Sequence, residues 1–321
     1  MAQAKPRPIV IAHRGASGER PEHTLMAYRL AIEEGADFIE PDLVVTRDGH
    51  LVVRHENEIS GTTDIAAHPE FAGRRTAKVI DGERIEGWFT EDFTLSELKT
   101  LRARERLPQL RPASAAFDGR ETIPTFQEVV DLAKAESRRA GRDIGLYPEM
   151  KHPAFLAGVG LPIEARLADA LKTAGLDSDR APVFVQCFEP EPLKTFRTLS
   201  KARRVQLVAA SSPDMVTPEG LRRIASYADG VGPDWSLVIP TRDGALGAPT
   251  PLVDEARALG LEVHPWTVRA ENWFLPTRLR KGGDPAAHGD AQAVLKALYA
   301  AGVTGVFSDF PGLAVKARDL S

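Results

Sequence analysis

Glu40 and Asp42 stand two residues apart near the end of an apolar run, Asp37–Val44, so on a β-strand both side chains project to one side. Two carboxylates so placed repel one another. Taken alone they read as a solvated pair or as salt-bridge partners, but Glu149, at the end of a later apolar run, adds a third anionic donor. Three carboxylates that converge need a cation to stay ionised together. An all-oxygen donor set suits Mg2+ or Ca2+ and disfavours zinc or copper, which prefer imidazole and thiolate. Nearby stand His13-Arg14, at the end of the first apolar run, and Lys151. Arg14 and Lys151 offer positive charge to phosphoryl oxygens, and an imidazole exchanges protons near neutral pH.

A second imidazole reaches the same place by hairpin arithmetic. Asp48-Gly49, between two β-like runs, is the strongest short-range hairpin signal. With these two residues as the loop, paired positions sum to 97 and Asp42 lies opposite His55, their Cβ atoms about 4.5–5.5 Å apart. His13 and His55 then form an acid–base pair beside a cation and two basic side chains. That chemistry suits displacement at phosphorus.

Residues so remote in sequence need a frame that gathers them. Short apolar runs alternate with helical patterns: Pro8–Ala12, Asp37–Val44, Ile144–Glu149, Val183–Phe188, Arg204–Ala210, Asp229–Gly232, Leu261–Val268 and Gly305–Asp309 read as eight strands. Helices are expected over Thr24–Glu34, Thr125–Arg139 (with a Thr125/Glu128 capping box), Ile163–Ala174, Pro218–Tyr227, Pro251–Leu259 and Ala291–Ala301. Eight such units favour an α/β fold closed as a (β/α)8 TIM barrel, whose C-terminal strand ends form one face on which a site is built. His13-Arg14, Glu40, Asp42, Glu149, Lys151, Gln186, Trp266 and Asp309 all fall near such ends. One interval is too long for a βα connection. Its excess, roughly residues 56–122, reads as an insertion with a helix at Thr94–Glu105, either a solvated excursion or a lid beside the site.

Composition narrows the partners. The 321 residues are 43% hydrophobic and 27% charged, and 41 Lys+Arg against 45 Asp+Glu leave a net charge of −4. No basic field is available for nucleic acid. Cys187, the only cysteine, excludes an internal disulfide and a zinc site built on several thiolates. No apolar stretch approaches the ~18 residues of a membrane span. The start of the chain lacks a signal-peptide apolar region, yet Ala2-Gln3-Ala4 is reminiscent of a cleavage remnant, so export stays open.

The motifs His13-Arg14-Gly15, Pro21-Glu22-His23-Thr24, Gly35-Ala36-Asp37-Phe38-Ile39-Glu40-Pro41-Asp42, Thr46-Arg47-Asp48-Gly49 and Leu51-Val52-Val53-Arg54-His55 recur in a known pattern. It resumes with Tyr147-Pro148-Glu149-Met150-Lys151, Val185-Gln186-Cys187-Phe188, Gly232-Pro233-Asp234, His264-Pro265-Trp266-Thr267-Val268-Arg269 and Ser308-Asp309-Phe310-Pro311. Over essentially the whole chain this resembles the glycerophosphodiester phosphodiesterase family. The resemblance implies a TIM barrel spanning residues 1–321 with the 56–122 insertion after the second strand. It implies Glu40, Asp42 and Glu149 as ligands of one divalent cation, His13 and His55 as acid and base, and Arg14 and Lys151 as phosphate-binding groups. The implied reaction is hydrolysis of glycerophosphodiesters, such as glycerophosphocholine and glycerophosphoethanolamine, to an alcohol and sn-glycerol 3-phosphate. The Pro-Glu-His-Thr and Tyr-Pro-Glu-x-Lys forms and the large insertion look most like the longer, periplasmic bacterial branch. That likeness favours Ca2+ over Mg2+ and a periplasmic or secreted location, with the cytoplasm still open. Two positions depart from the family pattern: Glu56 replaces the usual Asp after the second histidine, and Ser308 replaces Thr before Asp309.

Gln186, Phe188 and Trp266 are further candidates, lining a pocket for the glycerol moiety. Cys187 alternates with Gln186 and is expected to face the helices as a small apolar residue. Trp88-Phe89 is either the insertion's own core or a head-group contact, and His23, His50, His68, His152, His264 and His288 have no partner derivable from sequence. Two competing functions carry discriminators. A phospholipase-type phosphodiesterase needs an amphipathic basic segment, which is absent. A non-catalytic phosphate-binding barrel should have lost one of His13, His55, Glu40, Asp42 or Glu149. Attack by water and attack by the substrate's own 2-hydroxyl through a cyclic phosphate both fit these residues, and oligomeric state is not legible.

Overall fold

The computed structural model describes residues 7–320, so Ala2-Gln3-Ala4 lies outside the described residues. Its strands are β1 (Ile9–His13), β2 (Phe38–Glu40), β3 (Asp42–Val45), β4 (Leu51–Val53), β5 (Thr76–Ile80), β6 (Glu83–Gly87), β7 (Gly145–Leu146), β8 (Glu149–Met150), β9 (Phe184–Cys187), β10 (Arg203–Val208), β11 (Gly230–Pro233), β12 (Thr241–Arg242), β13 (Ala245–Leu246), β14 (Glu262–Val263) and β15 (Gly305–Ser308). Two arcs of parallel ladder run β15-β1-β2-β7 and β14-β11-β10-β9-β8-β3. Proline cannot donate to a ladder, and Pro41 and Pro148 each interrupt one expected strand, giving β2 with β3 and β7 with β8. Bridges Leu146↔Val183 and Val268↔Ser308 join the arcs. The result is a closed eight-stranded parallel barrel with helices such as Leu25–Glu33, Phe126–Ala140 and Ile163–Thr173 outside it. The Thr125/Glu128 capping box opens the helix Phe126–Ala140.

Strand parity separates two cores. Val10, Ala12, Ile39, Leu43 and Cys187 face the helices. Ile11, Phe38, Tyr147, Phe184, Val205 and Phe307 fill the barrel interior, where the Tyr147 ring lies 5.1 Å from that of Phe184 and 5.0 Å from that of Phe307. His13, Glu40, Glu149 and Gln186 follow Ile11, Phe38, Tyr147 and Phe184 by two residues, so they share the inward parity and form a polar layer above this aromatic floor.

The chain between β4 and the helix Phe126–Ala140 builds a small core of its own from Ile59, Ile65, Phe71, Trp88, Phe93 and Leu98, packed on Val44 and Val52. Trp88 and Phe89 are both buried, and the Trp88 Nε1 donates to the Phe71 carbonyl (2.8 Å), so this pair is core. Only Leu95–Leu98 of the expected Thr94–Glu105 helix is helical. Beyond it Arg102 N donates to Asp64 Oδ1 (2.7 Å) and Ala103 N to the Glu121 carbonyl (2.8 Å). These partners across the subdomain override local helix propensity.

The exit from β1 is a tight turn against the helix Leu25–Glu33. Gly15 has φ +85°, and a Cβ there would lie 2.7 Å from the Ala27 carbonyl carbon. Gly15→Ala is therefore expected to cost at least about 1–2 kcal/mol from the left-handed conformation alone, with the steric clash in addition. A lowered urea midpoint at unchanged m-value is the expected readout; an unchanged midpoint would contradict this reading of the turn.

Candidate active site

Ladder register brings the polar layer together. His13 pairs with Glu40, Asp42 with Glu149, and Glu149 with Gln186, a row across neighbouring strand ends. The ligand atoms of Glu40, Asp42 and Glu149 lie within 4.8 Å of one another, and all three residues are buried. Lys151 Nζ donates to Glu149 Oε1 (2.8 Å), Arg14 N to Glu40 Oε2 (2.7 Å), and Arg14 Nη1 to Glu22 Oε2 (3.0 Å). Arg14 and His23 both hold positive φ, 59° and 58°, next to these carboxylates. Strained non-glycine backbone of this kind concentrates at functional sites.

His55 arrives by a different register from the one expected. Leu43↔Val53, Val44↔Val52 and Val45↔Leu51 pair, so positions sum to 96 and Asp42 faces Arg54, whose N–H donates to the Asp42 carbonyl (3.0 Å). The loop has three residues, Arg47 to Gly49, because Gly49 takes the left-handed conformation (φ 86°) at its last position. One residue beyond the paired position, the His55 imidazole is held by Glu56 through Nδ1. Glu56 thus does orient His55. On the other side His13 Nδ1 meets Asp309 Oδ1 at 2.6 Å.

A cavity lined among others by His13, Arg14, Glu40, His55, Glu149 and Lys151 also takes in Gln186, Phe188 and Trp266. An outer cavity shares His13, Arg14, His55 and Arg269 with it and opens toward Arg106, Trp273 and Phe274. The two imidazoles therefore stand at the waist of a two-lobed site. Phe188 and Trp266 meet edge to face at 5.5 Å on the inner wall. Gln186, which lines the cavity, also donates to Glu40 Oε1 (3.1 Å), so its amide orients a carboxylate.

Electrostatics follow from burial. Removal from water, then the charges of Asp42 and Glu149, pushes the Glu40 carboxyl well above the usual range; burial pushes Glu149 up to about 8. Burial opposes ionisation of Asp42 as well, but Lys151 and His23 outweigh it and hold its carboxyl well below the usual value. Burial and Arg14 pull His13 down to about 4, and burial with Arg14 and Lys151 pulls His55 to about 3. Each ring has its Nδ1 committed to a carboxylate. Asp42 Oδ1 is buried without a hydrogen-bond partner. An unpartnered carboxylate oxygen beside two further carboxylates, with hard oxygen donors only, fits a divalent cation held by Glu40, Asp42 and Glu149.

Sequence reasoning missed several residues. His23, without a derivable partner, donates from Nε2 to Asp42 Oδ2 (2.8 Å) and meets the Tyr28 hydroxyl at Nδ1 (2.8 Å). His264 meets the Tyr147 hydroxyl (2.8 Å) on the barrel floor. Arg106, Arg111 and the buried Glu22 also belong to the site, and nothing in their spacing announces it. The signal available was Glu22-His23 inside the quoted motif.

A sequence profile of the glycerophosphoryl diester phosphodiesterase family matches residues 13–313. The chain belongs to this family. A glycerophosphodiester phosphodiesterase of Arabidopsis thaliana is 35% identical over 95% of this chain and 84% of its own length. One from Haemophilus influenzae is 31% identical over 98% of this chain and 90% of its own. Among solved structures, a phosphodiesterase of Oleispira antarctica in complex with the product sn-glycerol-3-phosphate superposes with a TM-score of 0.65 at 23% identity, covering 97% of each chain. A glycerophosphodiester phosphodiesterase from Agrobacterium tumefaciens gives 0.63 at 18% identity, over 96% of this chain and 99% of that one. These structures share the barrel fold.

Cation binding is expected to stabilise the family fold in this chain. Saturating Ca2+ or Mg2+ added to chelator-stripped protein should raise stability by about 2.7 kcal/mol at 100 times Kd. Glu40→Gln, Asp42→Asn and Glu149→Gln should each lose most of that gain while remaining folded. Differential scanning calorimetry with and without cation checks it, and an equal cation response in all four proteins would contradict it.

Proposed function

We propose that this family member hydrolyses glycerophosphodiesters, including glycerophosphocholine and glycerophosphoethanolamine, to an alcohol and sn-glycerol 3-phosphate by His13/His55 acid–base catalysis. The observation that carries this reading is the pair of imidazoles, each tied through Nδ1 to a carboxylate, at the waist between two cavities. The Oleispira antarctica structure, with its sn-glycerol-3-phosphate product, supports the same reaction. Arg14 and Lys151 hold the phosphoryl oxygens. The glycerol end lies in the inner lobe against Phe188 and Trp266, and the leaving alcohol in the outer lobe. One imidazole, unprotonated at Nε2, takes a proton from the attacking oxygen as that oxygen bonds to phosphorus, and the other, protonated at both ring nitrogens when substrate is bound, donates its Nε2 proton to the alcohol oxygen as the P–O bond breaks. A divalent cation at Glu40, Asp42 and Glu149, Ca2+ in preference to Mg2+, supplies Lewis-acid stabilisation of phosphoryl charge when bound.

Charge accounts for the choice of diester. A divalent cation, Arg14 and Lys151 set against three carboxylates leave one formal positive charge. That matches the single charge of a diester rather than the nearly double charge of a monoester. Among the described residues one carboxylate cluster is placed to hold a cation.

His13→Ala and His55→Ala are each expected to lower turnover by about 10²–10⁴, with the double variant losing less than the product of the two. Turnover near wild type in either single variant would remove that histidine from the reaction. Diesters bearing choline, ethanolamine or glycerol should all release sn-glycerol 3-phosphate, chelator should abolish the release, and sn-glycerol 3-phosphate should itself be a poor substrate. Inorganic phosphate as main product, or full activity after exhaustive chelation, would overturn the reading.

A further inference from the structure

The two proposed catalytic histidines share a support that comes from neither barrel strand. Arg106 spans two carboxylates: Nη1 and Nη2 donate to Glu56 Oε1 and Oε2 (2.9 and 2.6 Å), while Nε and Nη2 donate to Glu22 (2.9 and 2.7 Å). Glu56 holds His55, and Glu22 holds Arg14. Five residues on, Arg111 donates from Nη2 to Asp309 Oδ2 (2.5 Å), from Nε to Glu271 Oε1 (2.6 Å) and from Nη1 to the Ser17 carbonyl (2.9 Å). Asp309 holds His13. Both guanidinium groups thus leave one strap of the segment between β4 and the helix Phe126–Ala140, and each grips the carboxylate behind one imidazole.

The strap is built to hold that position. Glu105 accepts from Leu107 N (2.8 Å) and Ser114 Oγ (2.5 Å), its own N–H donates to Asp118 Oδ1 (2.7 Å), and Arg111 N donates to the Leu107 carbonyl (2.8 Å). Glu105 and Arg111 are buried. A bidentate guanidinium–carboxylate fork fixes the carboxylate in plane as well as in charge. A fixed carboxylate fixes the tautomer and ring plane of the histidine that donates to it, as partners behind metal-bound and catalytic imidazoles do.

We infer that Arg106 and Arg111 are positioning residues that hold His55 and His13 with Nδ1–H on their carboxylates and Nε2 toward the substrate, where the base presents a lone pair and the acid a proton, so the inserted segment assembles the acid–base pair. The inference rests on the His13/His55 reading above. A strap that merely docked the insertion would stabilise the fold without setting either ring.

The test uses the Ca2+-loaded enzyme with 15N-labelled histidine, its two ring spin systems assigned through His13→Ala and His55→Ala. Wild type should show both rings protonated at Nδ1. Arg106→Ala should shift His55 toward mixed tautomers and leave His13 unchanged, and Arg111→Ala should do the reverse. Turnover should fall about 10–100-fold in each with KM changed far less, Lys substitutions should restore part of it, and added methylguanidinium should rescue Arg106→Ala. Arg106 is the partly exposed member of the pair, so Arg106→Ala decides the matter alone if Arg111→Ala does not fold. Unchanged tautomers and turnover in the arginine variants, with His13→Ala and His55→Ala inactive, would overturn this inference and leave the catalytic reading standing. Active His13→Ala and His55→Ala would instead overturn the catalytic reading.

Discussion

Mutual repulsion of three buried carboxylates is the constraint around which this molecule is arranged. Glu40, Asp42 and Glu149 bring their oxygens within 4.8 Å of one another in a layer shut off from water. Like charges in such a place cannot all persist without compensation. The chain supplies part of it directly, through Lys151 at Glu149, the Arg14 backbone N–H and the Gln186 amide at Glu40, and His23 at Asp42. A divalent cation on the three carboxylates, as proposed above, would supply the remainder. Two of these residues, Arg14 and Lys151, are also the ones proposed to hold the phosphodiester, so part of what makes the cluster tolerable would also bind substrate.

The barrel turns this constraint into geometry. Inward parity places each polar residue two positions above a packed aromatic or aliphatic one, so the rigid floor of Ile11, Phe38, Tyr147 and Phe184 sets the height of His13, Glu40, Glu149 and Gln186. Pro41 and Pro148 break the ladders immediately before Asp42 and Glu149, at the level where the ligands must converge. From outside, the inserted segment reaches back with Arg106 and Arg111. Its polar, turn-rich sequence conceals a core of its own and two ion-pair networks, the one on Arg111 buried and the one on Arg106 partly exposed.

Much of this was legible in the sequence for physical reasons. Strand parity and the rule that barrel sites lie at C-terminal strand ends suffice to gather His13, Glu40, Asp42, Glu149 and Lys151. The hairpin was misread by one residue because Asp48-Gly49 fits both a two-residue loop and a three-residue loop ending on a left-handed glycine, and only the closed structure chooses. Thr94–Glu105 carries helical periodicity, yet backbone partners at Asp64 and Glu121 end the helix after Leu98. His23, Glu22, Arg106 and Arg111 escaped because each acts through another side chain, and for Gln186 the sequence pointed to the pocket but not to its bond with Glu40. Partners far apart in sequence, such as Arg111 and Asp309, leave no local pattern to read.

The most direct test of the account is a crystal structure of the enzyme with Ca2+ and sn-glycerol 3-phosphate bound together. The account predicts Ca2+ on Glu40, Asp42 and Glu149 with oxygen distances of about 2.3–2.6 Å, the phosphoryl group against Arg14 and Lys151, and Nε2 of both His13 and His55 within hydrogen-bond reach of it. Ca2+ bound away from the three carboxylates, or a phosphoryl group beyond reach of both imidazoles, would contradict it.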